Sequence, residues 1–81
     1  MTAQLLRLPE VERLTGIKRS TLYLRQVAGL FPRPVSLGGR AVAWPKHEVE
    51  SINKARIAGQ SDDKIRALVA KLTANRKGGA K

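Results

Sequence analysis

The chain has 81 residues, 42% of them hydrophobic, and sixteen Lys and Arg against six Asp and Glu give it a formal charge of +10. That length makes one domain the expectation, and the apolar fraction suffices for one modest core, which argues against disorder. The lack of cysteine excludes a disulfide framework and a thiolate metal site, and no apolar run approaches the ~20 residues needed to cross a bilayer.

Four helices and one hairpin follow from the pattern of residues. In Leu8-Pro9-Glu10-Val11-Glu12-Arg13-Leu14, proline sits near a first helical turn, where its missing N–H costs nothing. Val11 and Leu14 share a face, and Gly16 can take the left-handed conformation that closes a helix. A second helix is expected from Arg19 to about Ala28, with Gly29 ending it, Leu22 and Val27 as its apolar positions, and Ile17 packing from the turn. Phe31 is expected to close the same core.

Pro32 and Pro34 exclude further helix and favour extended backbone. The run Val35-Ser36-Leu37-Gly38-Gly39-Arg40-Ala41-Val42-Ala43-Trp44 reads as two short strands around a glycine pair, with Pro45 stopping the second. A loop of two or of three residues fits equally well. Helix resumes at Lys46, with Val49 and Ile52 starting an apolar stripe, until Gly59 breaks it. Ser61-Asp62-Asp63 then makes a helix start, serine as cap and acids beside the positive end of the macrodipole. Ile65, Leu68, Val69 and Leu72 follow at i, i+3, i+4 and i+7, an amphipathic helix expected to end near Ala74. Its stripe must be buried on the domain or on a partner. The expected organisation is a DNA-binding domain over residues 1–60, the amphipathic helix over 61–75, and a basic flexible tail over 76–81.

Two helices joined by a glycine-containing turn form a helix-turn-helix signature, centred here on Thr15-Gly16-Ile17-Lys18-Arg19-Ser20-Thr21-Leu22-Tyr23. In that motif the N-terminal residues of the second helix face base edges, which points to Lys18, Arg19, Ser20, Tyr23 and Leu24. Arginine can bind guanine O6 and N7 with two hydrogen bonds, hydroxyls can reach a phosphate or a base, and Leu24 can touch a thymine methyl. Lys18 and Arg25 suit phosphate. The hairpin that follows suggests a wing: Gly38 and Gly39 allow close approach of backbone to a phosphate, and Arg40 at the tip suits a phosphate or a narrow minor groove.

Charge agrees. Residues 1–60 hold ten basic and four acidic side chains, and residues 61–81 hold six and two, so the positive field belongs to body and tail alike. Such a field favours nucleic acid. With three aromatic residues, a stacking-based single-strand or RNA binder is disfavoured. His47 alone makes no metal site, Trp44 suits a core anchor, and Glu48 and Glu50 point to different faces and suit electrostatic capping of a helix start. No Ser-His-Asp, Walker or dinucleotide pattern is present, so neither catalysis nor a cofactor is expected. The N-terminus lacks the order of a signal peptide, and a soluble cytoplasmic protein is expected.

The blocks Leu6-Arg7-Leu8-Pro9-Glu10-Val11, Thr15 to Tyr23, Gly29-Leu30-Phe31-Pro32-Arg33-Pro34-Val35 and Leu37 to Trp44, continuing to Glu48-Val49, resemble the AlpA family over about Leu5 to Ile57. The resemblance implies a MerR-like winged helix-turn-helix, mostly α with a small β-hairpin and here carrying an extra C-terminal amphipathic helix. It also implies a regulator of a prophage or other integrated element, acting as a transcriptional activator or as an excisionase that shapes DNA for an integrase. By matched position, Arg19, Ser20, Thr21 and Tyr23 fall in the family's recognition helix and Arg40 in its wing. Lys18 stands where the family usually has a capping serine, with Thr15 as a substitute cap. Gln26 replaces a usual apolar residue, and Ile52-Asn53 replaces a tryptophan-led pair.

The expected partner is therefore double-stranded DNA, with self-association along it, an integrase or RNA polymerase as protein partners, and no membrane. The contrasting expectation is a protein-interaction module that grips an acidic partner through its basic surface and last helix.

Overall fold

A computed structural model describes residues 4–80. The elements run β1 (Leu5–Leu6), α1 (Leu8–Thr15), α2 (Arg19–Val27), β2 (Val35–Gly38), β3 (Ala41–Pro45), α3 (Lys46–Ile57) and α4 (Asp62–Ala80). Four helices and a three-stranded antiparallel sheet of order β1-β3-β2 make a winged helix-turn-helix with an added C-terminal helix.

Local chemistry accounts for the element ends. Pro9 occupies the first turn of α1, and Gly16 at φ 72° returns its N–H to the Glu12 carbonyl at 2.8 Å. That left-handed residue turns the chain from α1 into α2 in a backbone conformation that strains an L-residue and that glycine adopts freely. In the hairpin, Gly38 pairs with Ala41, so the loop is the two residues Gly39 and Arg40. Gly39, the first residue of that loop, has φ 56°, and positive φ is what a two-residue hairpin turn takes at its first central position; Gly38, at φ 109°, is the last residue of β2. A register shift between Ser36 and Gly38 makes Leu37 the extra residue of a bulge, and the Ser36 hydroxyl accepts the Gly38 N–H there.

The third strand was not anticipated. Leu5 and Leu6 pair with Pro45 and Trp44, and the Lys46 N–H extends the ladder to the Gln4 carbonyl. Two residues carry no readable alternation, so only the tertiary partner defines them. Pro45, expected to stop β3, is its last residue and leads directly into α3.

One buried cluster joins every layer: Leu6, Val11, Leu22, Phe31, Trp44, Val49, Ile52, Ala55, Ile65, Val69 and Leu72. Phe31 and Trp44 meet edge to face with centroids 6.3 Å apart, and the Trp44 indole N–H donates to the Pro32 carbonyl at 2.9 Å. Each large side chain fully buried here stabilises the fold by about 1.5–3 kcal/mol. The stripe of α4 is buried on the domain itself, through Ile65, Val69 and Leu72. Ser61 starts that helix, its hydroxyl accepting the Lys64 N–H.

Several expectations need correction. Val27 is 63% exposed and belongs to no core, because it lies nearly opposite Leu22 around α2. Leu14 is half exposed, leaving Val11 as the buried residue of α1. The last helix continues past Ala74 to Ala80. Arg76 is therefore part of an anchored helix, held by contacts described below, and does not begin a free tail. Lys81, the end of that expected tail, lies outside the described residues. Glu48, expected as an electrostatic cap of the helix start, lies in the first turn of α3 but is fully buried.

Candidate nucleic-acid interface

The second helix of the motif exposes the residues that sequence placed there. Lys18 is the extended N-cap residue, and Arg19, Ser20, Thr21, Tyr23 and Leu24 are exposed. Arg19, Ser20, Tyr23 and Leu24 together line one shallow concavity. Thr21 follows Ser20 by one residue, so it points about 100° further round the helix. Arg25 is half-buried, and its carbonyl accepts the Leu30 N–H as the chain leaves the helix. Gly39 and Arg40 are exposed at the hairpin tip, in a separate element.

Pairing of charges divides the surface. Among the described residues, the ion pairs are Lys46–Glu50, Arg56–Asp62, Arg66–Asp63 and Arg76–Glu48. All use cations from α3 and α4. The cations from Arg7 to Arg40, which span the helix-turn-helix and the wing, make none. Positive charge without an internal partner is the kind available to phosphate oxygens.

Helix α2 has no cap of its own: Lys18 supplies no side-chain hydrogen bond. Thr15 does not substitute. Its hydroxyl donates to the Val11 carbonyl at 2.7 Å and accepts the Ile17 N–H, which ties down the turn instead. The cap comes from Glu12 of α1, whose carboxylate accepts the Arg19 N–H at 2.7 Å. A negative group at a helix N-terminus is also favoured by the macrodipole. Sequence reading missed this residue because the contact joins two helices seven positions apart across the turn.

The other end of α2 is held from α4. Arg66 Nε donates to the Ala28 carbonyl at 2.9 Å, and its aliphatic stem lies across Gly29. A cation there complements the negative end of the dipole. Asn53 of α3 donates to the Leu14 carbonyl at 3.0 Å, fixing the end of α1. Among the described residues no cluster of acidic, histidine or cysteine side chains suits a metal ion, and no helix is long and apolar enough to cross a membrane.

Comparison with known proteins bears on this arrangement. Residues 4–57, which hold the helix-turn-helix, the hairpin and α3, match the family model described as prophage CP4-57 regulatory protein (AlpA). An uncharacterised protein, ORF88 of Enterobacteria phage P4, is 51% identical over 55 residues, which cover 68% of this chain and 62% of that protein. The chain thus matches less than two-thirds of the relative's length. No solved structure matches. The family match covers two-thirds of the chain, including α2 and the hairpin tip, and the chain belongs to the AlpA family of prophage regulatory proteins.

Proposed function

We propose that the protein binds double-stranded DNA sequence-specifically in the cytoplasm and regulates an integrated mobile element, as a transcriptional regulator or an excisionase, without catalysing a reaction. The observation that carries this reading is the exposed first half of α2, polar and cationic, with Arg19, Ser20, Tyr23 and Leu24 on one concave surface. Arg19 reads guanine, Ser20 and Tyr23 hydrogen-bond to a base or phosphate, and Lys18, Thr21 and Arg25 register the helix on the backbone. Gly39 and Arg40 at the hairpin tip hold the flanking phosphates or the adjacent minor groove. Regulation follows from what the bound protein bends or recruits: a second copy along the DNA, an integrase or RNA polymerase.

The test is binding to the DNA flanking the protein's own gene, followed by fluorescence anisotropy with excess random duplex, at low and near-physiological salt. Specific binding retains a Kd of ~10⁻⁸ M or tighter at the higher salt. Affinity that disappears with competitor defeats the proposal, since non-specific binding rests on counterion release alone. Footprinting then separates a promoter from an attachment site.

A further inference from the structure

Helix α2 carries two stripes. One, built on Leu22 at 1% exposure, enters the core. The other runs through Ser20, Tyr23, Leu24 and Val27, at i, i+3, i+4 and i+7, and therefore lies along a single face. It holds three large side chains left open to solvent: Tyr23 at 63%, Leu24 at 66% and Val27 at 63% exposure. A helix that touched only phosphates would gain nothing from leucine and valine there. A helix lying in a major groove presents side chains at this spacing to consecutive base pairs.

The rim of the stripe identifies its occupant. Arg19 flanks it and Lys18 stands at its N-terminal end, and neither makes an ion pair among the described residues. A complementary surface must be anionic at its borders and apolar at its centre. The major groove has phosphates on both sides, and the apolar group on its floor is the C5-methyl of thymine. From Ser20 to Val27 the helix advances about 10 Å, which matches roughly three base-pair steps.

We infer that Leu24 and Val27 are specificity-determining residues that read thymine C5-methyl groups, so that the preferred site carries thymines one or two steps apart where α2 lies. This rests on the DNA-binding reading above and adds to it the chemical group recognised. Leu24 and Val27 are three residues apart, with Cβ atoms about 5–6 Å from each other, which sets the separation of the two methyls. Tyr23 borders the same stripe, its hydroxyl free for a phosphate or base edge.

The experiment is selection of a preferred duplex from a random library, followed by replacement of its thymines with uracil one at a time. Uracil keeps every hydrogen-bonding group and removes only the methyl. Each recognised methyl is expected to cost about fourfold in affinity when deleted. Leu24→Ala and Val27→Ala should each abolish that penalty at one thymine and leave it at the other. Both side chains are exposed, so the unfolding midpoint of either variant should match the parent's. Equal binding of the uracil duplexes overturns the inference, as does a Val27→Ala protein that keeps every penalty. A Val27→Ala protein that loses self-association in sedimentation while keeping every penalty makes the stripe a protein interface and also overturns it. Failure to select any sequence removes the DNA reading itself. Selection of a sequence indifferent to methyl groups removes only this inference.

Discussion

Arg76, near the end of α4, grips the carboxylate of Glu48 on α3 with both prongs of its guanidinium. Nε donates to Oε2 at 2.8 Å, and Nη2 reaches Oε1 and also the Arg33 carbonyl, the latter at 2.8 Å. Glu48 is 0% exposed and Arg76 22%. The pair ties α4, α3 and the segment leading to β2 together, and it explains how an acid can occupy the core of so small a domain.

Breaking this pair from one side should be costly, because a buried carboxylate would be left without its counter-charge. Arg76→Ala is expected to lose about 3–5 kcal/mol in urea unfolding, a large part of the total stability of a domain this size. The double variant Glu48→Leu with Arg76→Met should lose less than either single change, since a hydrophobic pair can replace a buried ion pair. A loss below about 1 kcal/mol for Arg76→Ala would show that the pair does not hold α4 in place.

Glu12 should matter more than its place on α1 suggests. Glu12→Ala removes the acceptor of the Arg19 N–H, and loss of an N-cap costs about 0.5–2 kcal/mol. Hydrogen exchange should accelerate at the first amides of α2. Lys18→Ser in the same protein should restore protection, because Lys18 already has the extended N-cap backbone, φ −72° and ψ 157°. If exchange at Arg19 is unchanged in Glu12→Ala, the carboxylate is not the cap.

Arg19 and Arg40 should differ in kind. Arg19→Ala is expected to relax preference at one base pair, worth about 1–3 kcal/mol of discrimination. Arg40→Ala should weaken binding to all sequences alike and reduce the slope of log affinity against log salt by about 1. Selection experiments on both variants read the first effect, and salt titrations the second. An Arg19→Ala protein that selects the parent's sequence with unchanged stringency would remove Arg19 from base reading.

Gly16 isolates the contribution of the turn. No atom lies within 4 Å of the position its Cβ would take, so Gly16→Ala meets no clash. The backbone at φ 72° remains strained for alanine, and the expected loss is about 1–2 kcal/mol. Gly16→Asn should lose less, because asparagine tolerates the left-handed region. Equal stability of all three proteins in thermal unfolding would show that the turn relaxes instead.

Much of this protein is decided within short windows of chain. The left-handed glycines, the Pro9 helix start, the Gly-Gly hairpin, the Ser61 start of α4 and the spacing of Ile65, Leu68, Val69 and Leu72 are local, and backbone sterics with side-chain periodicity fix them. The exposed residues Lys18 to Thr21 and Tyr23 are legible for the same reason: polar residues in the first turns after a helix-turn-helix corner have nowhere to be buried. Other features depend on partners distant in sequence. Two residues become β1 only because β3 offers a free edge. Glu48 can be buried only because Arg76 arrives from 28 positions away, and Glu12 becomes the cap of α2 only once Gly16 folds α1 beside it. Val27 shows the limit most directly. An apolar residue in a helix satisfies a core position and a groove-facing position equally well by type, and only the packing of Leu22 against the rest of the domain turns it outward.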